Sequence, residues 1–182
     1  MSALRYVPIE LLILAVVTGC GLAYAAARPA WLRGEPYTAV SYASRVLLLG
    51  AIGAVLVVTL TGGEPGGASN GVNLMPGDGI RRALLNSDRN LGLLNLAGNI
   101  AMFVPVAFLL PMATGLRWRH CVSLCVVASL GIEIAQVSLG RAFDIDDVLL
   151  NGLGAVAGAA VGVVVAGGFR RARSRDPHHP GR

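Results

Sequence analysis

One arginine, three aspartates and an asparagine fall within the run Arg141-Ala-Phe-Asp-Ile-Asp-Asp-Val-Leu-Leu-Asn151, between two apolar stretches. Upstream, Glu133 and Gln136 share one helical face at i, i+3, and Asn95 and Asn99 share another at i, i+4. Polar groups beside hydrocarbon are costly and persist where they pair with one another or serve a site. Asp144, Asp147 and Asn151 follow i, i+3, i+7, so they line one face, and Asp146 is expected to point elsewhere.

Three chemistries suit these residue types. Arg141 can hold a phosphate or carboxylate through its planar donor fork. The carboxylates and amides are oxygen donors of the kind a divalent cation takes. Asp144-Ile-Asp-Asp147 is too short and generic to be a calcium loop, so neither a metal nor a cofactor is predicted. Glu133 or an aspartate can serve as a general base. No Ser-His pair accompanies it: His120 starts a span, and His178 and His179 lie in the tail. No catalytic residue is assigned.

A structural account competes with these. Asp144 or Asp146 would cap the following helix and meet its positive dipole end. Arg141 would neutralise a carboxylate, and Asn95, Asn99, Glu133 and Gln136 would be interhelical hydrogen-bond partners. Capping needs one carboxylate, however, and the turn carries three.

The elements that must position these groups are membrane helices. Hydrophobic residues make up 54% of the chain and charged residues 14%; the mean hydropathy is +0.65. Crossing a core of about 30 Å takes about 20 residues, and five stretches qualify: 7–27, 45–61, 91–113, 120–139 and 147–168. The reading is all-α: a polytopic membrane bundle of about five helices with short loops, one transmembrane domain over 1–170, and a basic, disordered cytoplasmic tail over 171–182. Arg28-Pro29 and Gly34-Glu-Pro36 punctuate 28–44 as a loop. The glycine-rich 62–79 is a second loop, followed by a short interfacial helix over 80–90. Pro105 is expected to kink the third span. Gly154, Gly158 and Gly162, at four-residue steps, let another helix approach closely; packing within the chain is favoured over a homo-oligomer seam. Cys20, Cys121 and Cys125 form neither a disulfide framework nor a metal pattern and read as small packing residues.

All 15 basic residues are arginine, a usage that, with abundant Ala, Gly and Val, points to a GC-rich bacterial genome. The net charge of +5 is concentrated in the tail (Arg170, Arg171, Arg173, Arg175, Arg182); this is a topology signal rather than a nucleic-acid site. With the tail cytoplasmic, arginines 28, 33, 45, 117, 119, 170, 171, 173, 175 and 182 lie inside and 5, 81, 82, 89 and 141 outside. The first span imitates a secretory signal, with Val17-Thr-Gly-Cys20 like a lipoprotein cleavage motif. Cleavage would invert this balance, and Glu10 suits a retained helix. The Asp-rich turn therefore faces outward from a bacterial cytoplasmic membrane.

The ordered elements Asn73-Leu-Met-Pro76, Asn95-Leu-Ala-Gly98-Asn99-Ile-Ala-Met-Phe103-Val-Pro105, Glu133-Ile-Ala-Gln136 and Arg141 to Gly154 resemble the VanZ-like family over about residues 72–166. The chain departs from the family pattern at Gly77, where an aromatic usually follows the proline. The resemblance implies a small bacterial integral membrane protein; the founding member is associated with low-level resistance to teicoplanin, a glycopeptide that binds cell-wall precursors. On that basis the expected partners are the bilayer and a cell-wall precursor or glycopeptide. The pocket residues would be Asn95, Asn99, Glu133, Gln136, Arg141, Asp144, Asp147 and Asn151. The alternative is a membrane enzyme or carrier that acts on a lipid-linked envelope precursor with carboxylates or a divalent cation.

Overall fold

Hydrocarbon offers no partner to a backbone N–H or C=O, so an apolar chain of this kind satisfies its main chain by staying helical. The computed structural model describes residues 9–61, 72–85 and 89–174. Helices α1 (Ile9–Leu32), α2 (Pro36–Thr61), α4 (Arg89–Thr114), α5 (Trp118–Ser138) and α6 (Ile145–Ser174) are long and apolar enough to cross a membrane. A short helix, α3 (Asp78–Leu85), and two two-residue strands, β1 (Val72–Asn73) and β2 (Phe143–Asp144), complete the order. The fold is an all-α polytopic bundle, as the composition predicted.

Two boundaries differ from expectation. The predicted 28–44 loop shrinks to the turn at 33–35, because α1 continues through Pro29 and α2 begins at Pro36. A proline inside a helix removes one hydrogen bond, and leaving the helix in an apolar medium would forfeit several. Pro36 sits at a first helical position, where its missing N–H costs nothing. Helix α4 likewise runs on through Pro105 and Pro111. Finally, the interfacial helix ends at Leu85, and Arg89 and Asn90, predicted to belong to it, start α4.

The most extensive pairing in the bundle is α4 with α6; α2 packs on α4, α5 on α6, and α1 chiefly on α2. Phe103, Val106 and Ala107 of α4, Cys121, Cys125 and Ile132 of α5, and Ala155 and Ala159 of α6 form the buried centre, joined by Leu48 and Val55 of α2. Cys121 and Cys125 pack as predicted, whereas Cys20 is exposed on α1.

The glycine stripe faces inward. A Cβ at Gly154, Gly158 or Gly162 would run into the main-chain carbonyl of Ile100, Val104 or Phe108 respectively. Two i, i+4, i+8 rows thus interlock, bringing α6 against α4 at backbone distance. This stripe serves packing within the chain, and α4 covers the face that a second copy would need.

Candidate functional site

The C-terminal ends of α2 and α5, the N-terminal ends of α4 and α6, and the loop carrying β1 and α3 all meet at one end of the bundle. A parallel bridge pairs Val72 with Phe143 and Asn73 with Asp144, fastening the loop beside the start of α6. Asn73 reinforces it: its Oδ1 accepts the Met75 N–H at 3.2 Å, and its Nδ2 donates to Asp144 Oδ1 at 3.0 Å.

Each of the three aspartates has a different task. Asp144 precedes α6 and accepts the Asp146 N–H at 3.0 Å, which makes it the helix N-cap. Its own N–H donates to Glu133 Oε2 at 3.1 Å, tying α6 to α5. Asp147 accepts a hydrogen bond from Asn99 Nδ2, tying α6 to α4. Asp146, expected to point away, is 2% exposed and is the hub of the loop. Its Oδ1 accepts the Gly77 N–H at 2.6 Å, and its Oδ2 accepts those of Gly79 at 2.7 Å and Ile80 at 3.1 Å. These are the otherwise unsatisfied donors at the start of α3, and charge-assisted hydrogen bonds are the stronger kind. The carboxylates in excess of one cap are thus accounted for by tertiary contacts.

The glycines of this loop follow from the same geometry. Gly77 has φ +88°, a region that side chains strain to enter. A Cβ on Gly79 would lie 2.7 Å from Asp144 Oδ2 and 3.0 Å from Asp146 Oδ2, so only glycine lets both carboxylates reach the backbone.

Gln136 and Arg141 address a helix end instead. Gln136 Nε2 donates at 2.9 Å and Arg141 Nη1 at 2.7 Å to the Thr59 carbonyl, one of the last four of α2, which have no helical partner. The Arg141 guanidinium predicted to hold an anion is thus in part a cap on α2. Asn151 lies deeper, 4% exposed, and its Nδ2 donates to Ser129 Oγ at 2.8 Å.

Asn99, Glu133, Gln136, Arg141, Asp144, Asp147 and Asn151 are therefore gathered at, or one helical turn below, the same end. Asn95 lies at that end too, one turn nearer the start of α4, but its side chain is exposed and bonds to no other described residue. The Glu10 side chain lies outside the described residues. Sequence reasoning missed Asp146, Asn73 and Thr59. The signal for Asp146 was the Gly77-Asp-Gly79 turn before a helix, whose bare N–H groups call for an anion.

The gathered residues are tied to one another and to the backbone by hydrogen bonds. An open apolar groove of about 370 Å³ runs beside them, lined by Val72, Leu74, Ile134, Val137, Ser138 and Phe143. A second, of about 480 Å³, is lined by Asp78, Arg81, Arg82 and Leu85. Arg82 approaches Asp78 Oδ2 at 3.3 Å and Asp144 Oδ2 at 3.7 Å. Among the described residues, no group of three or more His, Cys, Asp or Glu is arranged to hold a metal ion.

A protein-family model described as VanZ/LLP1 matches residues 45–166, beginning in α2, ahead of the first motif read from the sequence. Comparison with curated proteins and with solved structures gives no match.

Proposed function

The chain belongs to the VanZ/LLP1 family, and from that membership we propose that it is a bacterial envelope protein that lowers glycopeptide susceptibility, teicoplanin above all. In this reading it binds, or alters access to, a cell-wall precursor at the outer membrane surface, without catalysing a reaction. The observation that carries the proposal is the division of arginines between the two ends of the bundle. Among the described residues, Arg28, Arg33, Arg45, Arg117, Arg119, Arg170, Arg171 and Arg173 gather toward the end opposite the aspartates, and Arg81, Arg82, Arg89 and Arg141 lie toward the aspartate end. Positive residues are retained on the cytoplasmic side, which turns the clasped loop and α3 outward and leaves the C-terminus cytoplasmic.

The buried residues then act as the support of a ligand surface. Asp144, Asp146, Glu133, Asp147 and Asn99 fix the loop, and Gln136 and Arg141 fix α2 beside it. The groups that meet a precursor's anionic headgroup are the exposed guanidiniums of Arg81 and Arg82 on α3, at the rim of the 480 Å³ groove.

Expression of the whole chain in a susceptible host, with inhibition by teicoplanin and vancomycin measured side by side, tests this. A rise in the inhibitory concentration of teicoplanin, larger than that of vancomycin and lost in an Arg81→Ala/Arg82→Ala double variant that still inserts, is expected. No change for either drug would remove the proposal.

A further inference from the structure

Below the clasp, the facing sides of α5 and α6 carry more hydrogen-bond acceptors than donors. Asn151 Oδ1 is fully buried and has no partner. Its Nδ2 is taken up by Ser129 Oγ, itself among the most completely buried side chains. One helical turn nearer the clasp, on the same two faces, stand Asp147 (i−4 from Asn151) and Glu133 (i+4 from Ser129). Each carboxylate spends one oxygen within the protein, Asp147 Oδ1 on Asn99 and Glu133 Oε2 on the Asp144 N–H. The bonds between described residues at these two carboxylates thus use Asp147 Oδ1 and Glu133 Oε2, while the buried atom left without a hydrogen bond is Asn151 Oδ1.

The charges are likewise unbalanced. Arg141 is the cation within electrostatic reach of both Glu133 and Asp147, and its Nη1 already serves the Thr59 carbonyl. Asp144 shares Arg82 with Asp78 at the exposed rim, and among the described residues Asp146 is met by backbone N–H groups. Two carboxylates against one shared guanidinium, beside an amide oxygen with nothing to accept, make a negative and donor-poor site in a low-dielectric setting. There an unmatched polar atom is costly.

We infer that the α5–α6 junction below the clasp binds one small monovalent cation of the sodium class, with Asn151 Oδ1 and the second carboxylate oxygens of Asp147 and Glu133 as its donors. An all-oxygen set suits a hard cation. Two carboxylates with a neutral amide, one of them already countered by Arg141, match a single positive charge. A divalent ion generally draws more ionised ligands, and no such group is present among the described residues. The ion would tie α5 to α6 directly beneath the loop. This goes beyond the precursor-binding reading and is tested with no precursor or drug present, so either can fail alone.

The test uses the full chain in nanodiscs at constant ionic strength, with choline chloride exchanged for NaCl, followed by thermal unfolding and by equilibrium retention of radioactive Na⁺. Sodium should raise Tm saturably, on the order of 5 °C, and about one ion should be retained per chain. Asn151→Leu should weaken Na⁺ binding about tenfold or more. Should that variant not fold, Asp147→Asn, which keeps the shape and removes a charge, should show the same loss. Equal stability in choline and sodium with no retained Na⁺, an undiminished response in Asp147→Asn, or a response to Mg²⁺ or Ca²⁺ without one to Na⁺ would each overturn the inference.

Discussion

Helix α6 is fastened to its neighbours by two opposite devices. Over its middle, Gly154, Gly158 and Gly162 present no side chain, and the α4 carbonyls of Ile100, Val104 and Phe108 fill the space. At its start, the Asp144 N–H meets Glu133 of α5, and the Asp146 and Asp147 carboxylates reach the loop with α3 and helix α4 respectively. The glycine half gains dispersion contact along its length, and it tolerates no added atom. The carboxylate half gains direction, because each hydrogen bond must join a particular oxygen to a particular N–H. Within hydrocarbon, where apolar surfaces are equivalent, close packing holds two helices together. Where the chain leaves the helix, backbone donors are bare and charged acceptors position it.

Each of the two devices can be disabled separately. The largest effect is expected at Gly158→Leu, whose side chain would have to displace the α4 backbone at Val104. Overpacking against main chain should cost about 3 kcal/mol or more. The check is the yield of monodisperse protein and its Tm, with loss of both expected; near-normal Tm would mean that α4 and α6 are not in backbone contact. Next comes Asp146→Ala, which strips the acceptors from Gly77, Gly79 and Ile80 at about 1.5–3 kcal/mol for charge-assisted bonds. The damage should be local. Amide exchange should accelerate over residues 77–80 and stay unchanged over 154–162, whereas uniform acceleration would deny the division between the two halves. The smallest effect is expected at Asn95→Ala. An exposed amide with no described partner should move stability by less than about 0.5 kcal/mol, and a large drop in Tm would place Asn95 in the polar clasp after all.

Much of this site was legible in residue spacing. The pairs Asn95/Asn99 and Glu133/Gln136 and the Asp144–Asn151 run pointed to one end of the bundle, and there they lie, with Asn95 exposed and outside the hydrogen-bonded cluster. Spacing assigns residues to a face and leaves open what lies opposite. Asn95 and Asn99 share a face by periodicity, yet Asn99 meets Asp147 and Asn95, one turn nearer the helix start, meets no described residue. Asp146 failed in the converse way. It lies off the face shared by Asp144 and Asp147, and that off-axis direction is where the loop from 72–80 returns to α6. Arg141 was read from its charge alone; its first use, on the Thr59 carbonyl, depends on where α2 stops.

The sequence by itself determined that this chain is an all-α membrane bundle, that its polar residues collect at one end, and that it has the family's motifs. Those properties are set by apolar length, helical period and local order along the chain, which need no partner to be read. That the Asp146 carboxylate holds the backbone of a loop some seventy residues away in sequence, and that the glycines face α4, depends on how the helices pack. A hydrogen bond is specified by two groups at once. The second lies on another segment whose position is fixed only when the helices pack.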